Sequence, residues 1–178
     1  MHRDKLIQSI SNYKIFSKED EVIKNRFLNF IATHKNCFER SLEIGHITAS
    51  AFIIDKKNEK ILLLHHKKLD KWLQPGGHCD GEENVLKVAI KEVFEETGIN
   101  IAYQESDIFD LDIHTIPLHK NIPKHEHFDI RFLFDLDSTI QTEINEESNQ
   151  LAWVSMNDLE NYTNEESILR MRKKSFLI

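Results

Sequence analysis

The sequence predicts an α/β protein, and three observations carry that prediction. Apolar residues recur at helical spacing through the first 45 positions, and short β-branched, apolar runs begin at His46. One stretch free of Gly and Pro, residues 83–97, reads as an amphipathic helix closed by Gly98. A chain of 178 residues is long enough to bury a substantial core around such elements.

Residues 1–45 are expected to form an N-terminal helical extension to a domain spanning residues 46–178. Leu6, Ile10 and Tyr13 mark a short first helix. Ser17 with Asp20 resembles a capping pair ahead of a second, in which Ile23, Phe27, Phe30, Ile31 and His34 share a face. This extension is expected to cap the domain or to provide a homodimer contact. From His46 the period shortens: HITASAFIID and KILLLHH, joined by the polar residues 55–59, read as two antiparallel strands. The unbroken apolar run 61–64 implies burial on both faces. Further strands are expected at 100–103, 109–114, 127–136 and 151–154, then a short helix at 156–162. Asn164 is expected to cap a last helix, whose basic end RMRKK complements the C-terminal dipole.

Composition narrows the function classes. Hydrophobic residues at 40% and charged residues at 30% describe a folded chain rather than a disordered one. No apolar run approaches the roughly 18 residues of a membrane span, and the start, MHRDKLIQSIS, lacks a signal peptide's apolar stretch, so no membrane partner is expected. A net charge of −7 argues against broad nucleic-acid binding. Cys37 and Cys79 form no CxxC and no disulfide framework, which fits a cytoplasmic protein.

The chemistry concentrates on the helix at 83–97. Glu92, Glu95 and Glu96 fall within roughly 100° of arc, while Leu86, Ile90, Val93 and Phe94 occupy another side. Crowded carboxylates raise one another's pKa unless a cation sits among them, and hard oxygen ligands suit Mg²⁺ or Mn²⁺.

Gly77, Glu83, Glu92, Val93, Glu95, Glu96, Gly98 and Ile99 fit the pattern G-x5-E-x7-R-E-U-x-E-E-x-G-U, where U is apolar, with Lys91 standing for Arg. The lead-in KWLQPGGH is also similar, and on these residues the chain resembles the Nudix hydrolase family. The resemblance implies an α/β/α sandwich with a central mixed sheet. It implies a hydrolase that uses Mg²⁺ or Mn²⁺ to cleave a pyrophosphate bond in a nucleoside diphosphate linked to another moiety, such as a nucleotide sugar or ADP-ribose. Carried over residue by residue, Glu95, Glu96, Glu92 and the Gly77 carbonyl would hold metal. Glu92 would serve as ligand or base, and Glu83 would pair with the cation at position 91. Lys91 keeps that charge without the two-pronged grip of Arg. The alternative is a non-catalytic, nucleotide-binding regulatory domain, against which all three carboxylates weigh. An isoprenoid diphosphate isomerase would need a cysteine placed differently from Cys79.

The second informative stretch is DIHTIPLHKNIPKHEHFDIRF, residues 112–132, in a chain with ten histidines. Alternation puts His125, His127, Asp129 and Arg131 on one strand face. His125, His127 and Arg131 are candidates to contact a diphosphate or its sugar, and His127 is a candidate base; an ordinary polar strand end would look the same. Gln74, in the lead-in, is a further substrate candidate, and Trp72 is either a base-stacking or a core residue. A zinc site from His125, His127 and Cys79 has no supporting ligand spacing. Glu143, Glu146 and Glu147 are candidates for a last metal ligand or base.

Overall fold

In chain order the computed structural model contains α1 (His2–Asn12), α2 (Lys18–Thr33), β1 (Gly45–Asp55), β2 (Lys60–His66), β3 (Lys71–Leu73) and β4 (Gly76–His78). Then follow α3 (Val85–Thr97), β5 (Asp110–Ile116), β6 (His125–Asp135), β7 (Ser148–Ser155), a 3-10 turn (Leu159–Asn161) and α4 (Glu166–Ser175). The structure describes residues 2–119 and 122–177. Met1 and Ile178, at the ends of the expected ranges, and Lys120 and Asn121, inside the stretch 112–132, lie outside the described residues.

The chain divides into two compact units. The first comprises Met1–Ala49, Gly77–Ala89 and Gln104–Phe132, the second Ser50–Gly76, Ile90–Tyr103 and Leu133–Ile178. In the first unit, β5 pairs antiparallel with β6, from Asp110 opposite Arg131 to Ile116 opposite His125. The N-terminal helices are present, and Ser17 caps α2: the Asp20 amide donates to Ser17 Oγ at 3.1 Å, while Asp20 Oδ2 accepts from the Phe16 amide at 2.9 Å. Phe27 and Phe30 of α2 close on Phe128 of β6, at ring-centroid distances of 5.3 and 3.9 Å.

In the second unit, β2 pairs antiparallel with β1, β3 and β7. Its apolar run, Ile61 to Leu64, is buried throughout, as expected of a strand covered on both faces. β6 lies beside β1, and their residue numbers rise together. The Glu126 amide donates to the Ile44 carbonyl at 3.1 Å, and ten residues on the Leu136 amide donates to the Ile54 carbonyl at 2.8 Å. That pair is therefore parallel while the hairpins are antiparallel, giving the mixed sheet of an α/β fold. Val93 of α3 packs with Ala51, Ile53, Leu62 and Ile99, backed by Phe134, Leu136 and Trp153.

Four expectations need correction. Residues 100–103 form no strand; Ile99 and Ile101 pack on the core from an irregular segment, covering it without entering a ladder. The helix expected at 156–162 is only the 3-10 turn, and α4 begins at Glu166, two residues past Asn164. Phe94 is exposed rather than packed, being at the edge of the apolar arc. β3 and β4, at three residues each, are too short for periodicity to announce.

Candidate active site

Both ends of α3 are fixed by local chemistry. At its start the Lys87 amide donates to Asn84 Oδ1 at 3.1 Å, so Asn84 caps one of the first-turn amides. At its end Gly98 takes φ +72°, and its amide donates to the Phe94 carbonyl at 2.9 Å. A Cβ on Gly98 would meet Glu143 Cβ at 2.9 Å, so glycine is required by space as well as by backbone. The Glu143 amide donates to the Thr97 carbonyl at 2.8 Å, tying the loop that follows β6 to the helix end. The family-like Gly98 thus sets where the carboxylate face stops.

Within the second unit, Glu96 is 7% exposed, and its Oε2 accepts from the Gly76 amide at 2.8 Å. Burial pushes its carboxyl up to about 8; the Gly76 hydrogen bond opposes that, and the charges of Glu92, Glu147 and Glu95 add to it. Burial also raises Glu92, against the pull of Lys91 and with the push of Glu95 and Glu147. Four carboxylates therefore share one field, and the fourth is Glu147. Of the three late glutamates, Glu147 is the one whose charge acts on Glu92 and Glu96; Glu143 Cβ lies beside Gly98, and the Glu146 carbonyl accepts from Lys67 Nζ at 2.7 Å. The Glu147 carbonyl accepts from the Lys67 amide at 2.9 Å and its amide donates to Asn145 Oδ1 at 3.0 Å, fixing its backbone. Oxygen donors whose negative charge is disfavoured by burial and by one another fit a hard divalent cation.

Lys91 departs from expectation. Its ammonium bonds Glu95 Oε2 at 2.7 Å and lies 3.6 Å from Glu92 Oε1, rather than serving Glu83. The reason is spacing: Lys91 and Glu95 are four apart on one helix face. Glu83 Oε2 instead accepts from the Arg3 amide at 3.3 Å. Gly77 lies at the centre of β4, next in chain to the Gly76 donor. Gln74 Nε2 donates to Ser50 Oγ at 3.5 Å, while its Oε1 is buried with no partner among the described residues.

The strand face of the first unit holds the other candidates. Arg131, expected to meet substrate, is 2% exposed and surrounded by aspartates: Nε donates to Asp129 at 2.7 Å, and its two terminal nitrogens to Asp112 at 3.0 Å and Asp110 at 3.3 Å. Its donors are committed to the core, which corrects the expected phosphate contact. The signal for this was present as the alternating D-L-D of β5 facing the D-I-R of β6. Burial, reinforced by His78 and His114, pushes His127 down to about 2. That direction disfavours a positive charge on His127, and the ring stands among His46, His78, His114 and His125. His125 is buried, and its Nδ1 lies 2.8 Å from the Pro123 carbonyl, to which it donates in the tautomer protonated there. Burial pushes the Cys79 thiol far up, away from any thiolate chemistry.

Comparison with known proteins adds the following. A family model described as NUDIX domain matches residues 45–173. A protein of Lactococcus lactis subsp. cremoris named probable DHNTP pyrophosphohydrolase is 34% identical over 93 residues, 51% of this chain and 54% of that one. The chain spans about half the length of the curated relatives it matches. Among solved structures, a MutT NUDIX hydrolase from Burkholderia pseudomallei is similar at a TM-score of 0.58 and 20% identity, covering 73% of this chain and 97% of that one. A hydrolase of the NUDIX family from Clostridium perfringens is similar at a TM-score of 0.50 and 29% identity, covering 74% and 97%.

Proposed function

The chain belongs to the Nudix family, and from that premise we propose that it is a divalent-metal-dependent hydrolase cleaving a pyrophosphate bond in a small nucleotide, a nucleoside diphosphate linked to another moiety. The observation that carries this reading is the buried Glu96 carboxylate, aimed by the Gly76 amide and crowded by Glu92 and Glu147. Glu92, Glu95, Glu96 and Glu147 are the groups that would hold Mg²⁺ or Mn²⁺. When bound, such an ion offsets charge on the phosphate oxygens and acidifies water.

The chain's own residues supply orientation and proton transfer. Glu96 is held in one direction by its bond to the Gly76 amide. Lys91 restrains Glu95 and, at longer range, Glu92. Glu92 takes the proton from the attacking water as an oxygen–phosphorus bond forms and the bridging phosphoanhydride bond breaks, and its burial makes it a stronger base than a solvated glutamate. The name of the Lactococcus relative, a pyrophosphohydrolase, supports a phosphoanhydride substrate.

The test is a product-resolved screen of nucleotide sugars, ADP-ribose, dinucleotides and nucleoside triphosphates with Mg²⁺ and with Mn²⁺. Phosphorylated products that disappear in Glu96→Gln are expected. Nucleotide binding without turnover across the panel would overturn the reading in favour of a regulatory, non-catalytic domain.

A further inference from the structure

The first unit contains a group of imidazoles that the hydrolase reading does not use. His46 on β1 and His125 and His127 on β6 face one another, with ring centroids 5.0, 4.9 and 5.2 Å apart, close to an equilateral triangle. One nitrogen from each lies within 4.8 Å of the others. His125 and His127 share a strand face by alternation, and β1 runs beside β6, so the three rings stand on neighbouring strands rather than on a loop.

The polar atoms of this group are the informative feature. His46 is 4% exposed, and among the described residues neither of its ring nitrogens has a partner at good hydrogen-bond geometry, the Leu42 backbone being the polar group near it. His127 Nε2 is likewise buried and unpartnered. Leaving a buried polar nitrogen unsatisfied costs about 1–3 kcal/mol, and such atoms normally find a partner. His125 has the complementary arrangement: with its Nδ1–H given to the Pro123 carbonyl, Nε2 presents a lone pair. Histidines that bind metals are oriented in this way, through a carbonyl or carboxylate on the far nitrogen.

We propose that His46, His125 and His127 form a site for one transition-metal ion of the zinc class. Three imidazole nitrogens suit zinc, cobalt or nickel and do not suit Mg²⁺, so this site differs in kind from the carboxylate set. Zinc–nitrogen bonds of about 2.1 Å set tetrahedral ligand atoms about 3.4 Å apart, so nitrogens that now lie within 4.8 Å of one another would draw together by up to about 1.4 Å on an ion. The ring of His78, 5.0 Å from His46 and 4.9 Å from His127, borders the fourth position. Packing alone accounts for stacked imidazoles; it does not account for two neighbouring buried rings, His46 and His127, each with a ring nitrogen unsatisfied among the described residues.

The experiment uses tag-free full-length protein, stripped with EDTA, dialysed, and titrated with Zn²⁺ against a chromophoric chelator and with Co²⁺ by visible absorption. One Zn²⁺ per chain is expected, with tetrahedral-type Co²⁺ bands. Binding should persist in the double variant Glu95→Gln, Glu96→Gln, and it should weaken by roughly 100-fold or more in His46→Gln and in His125→Gln, since even outer-shell partners are worth about 10–100-fold. Histidine ring-nitrogen NMR shifts on adding Zn²⁺ to the unmodified protein give a readout that no misfolded variant can obscure. No Zn²⁺-induced shift of these rings, zinc stoichiometry lost in the glutamate variant, or wild-type affinity in folded histidine variants would each overturn the site. Because the readout is binding, these results stand whatever the nucleotide screen returns.

Discussion

Two buried groups of carboxylates are handled in opposite ways in this protein. Between β5 and β6, Asp110, Asp112 and Asp129 surround the Arg131 guanidinium, with Thr48 Oγ1 donating to Asp129 at 2.9 Å. On α3, Glu96 accepts from the Gly76 amide, and the neighbouring lysine bonds Glu95 from the exposed side, 3.6 Å from Glu92. The aspartates have a permanent cation and are architecture. Glu92 and Glu96 have raised pKa values, and Glu96 a fixed direction, the condition in which the proposed ligands would accept an exchangeable cation. The same residue chemistry thus becomes scaffold or site according to whether the chain itself supplies the positive charge.

The largest effect expected from breaking this contrast lies on the scaffold side. Arg131→Met leaves three buried carboxylates without their cation, and urea unfolding should show a loss of about 3–5 kcal/mol. A loss under about 1 kcal/mol would mean that the aspartates reach solvent or other donors, and the contrast would fail. On the site side, Glu96→Gln should keep the fold, because an amide accepts the Gly76 hydrogen bond as well. Hydrolysis in Mg²⁺ should nevertheless fall by about 10²–10³-fold, the scale of losing one preorganised electrostatic group. Turnover within threefold of wild type would remove Glu96 from the mechanism.

How much of this contrast was legible in the sequence depended on range. Gly77, Glu83, Glu92, Glu95, Glu96 and Gly98 stand within 22 residues at fixed gaps, so the helix, its end and its acidic face could be read directly. Ser17 and Asp20 were readable for the same reason, three residues apart on one turn. The Gly76 donor, the placing of Glu147 where its charge bears on Glu92 and Glu96, and the encounter of His46 with His125 and His127 depend on tertiary placement that no local period encodes. Arg131 is the instructive case. Its strand face was correctly inferred from alternation, but its function was not, because alternation gives a direction and not what lies there. The partners, Asp110 and Asp112, were visible on the neighbouring strand and become meaningful once the register Asp110 to Arg131 is known.

The two regions should also separate along the pH axis. Glu96, raised from 4.5 to about 8, binds its proton more tightly folded than unfolded; its contribution is complete below about 4.5 and is lost as pH rises through about 8. His78 has the opposite sign: lowered from 6.5 to about 4, it contributes fully above 6.5 and less as pH falls toward 4. His127, lowered further, to about 2, adds to the acid side, so the two imidazoles outweigh Glu96 below pH 6.5 and metal-free protein should melt highest near pH 6–7, with each limb changing stability by on the order of 1–3 kcal/mol. Melting curves from pH 4 to 9 in EDTA should show the alkaline limb disappear in Glu96→Gln, and the acid limb flatten in His78→Gln. Mg²⁺ should restore stability mainly on the alkaline side, since it competes with the Glu96 proton. Equal restoration at pH 5 and pH 8.5 would place the ion elsewhere.

The smallest expected effect concerns the residue between the two behaviours, the lysine at position 91. Its bond to Glu95 is a half-exposed pair four apart on a helix, worth about 0.3–0.5 kcal/mol, so Lys91→Ala should shift melting little. Its contribution is to orientation: without the ammonium, Glu95 and Glu92 repel more freely and the carboxylate face spreads. We expect Lys91→Ala to lower turnover by roughly three- to tenfold, about 1 kcal/mol of positioning, while Lys91→Arg, which can grip a carboxylate through two parallel hydrogen bonds, matches or exceeds wild type. Steady-state rates for the three proteins at saturating Mg²⁺ make the comparison. If they coincide, the carboxylates of α3 are positioned by burial and the Gly76 amide alone, and the cation at this point of the helix is surface chemistry.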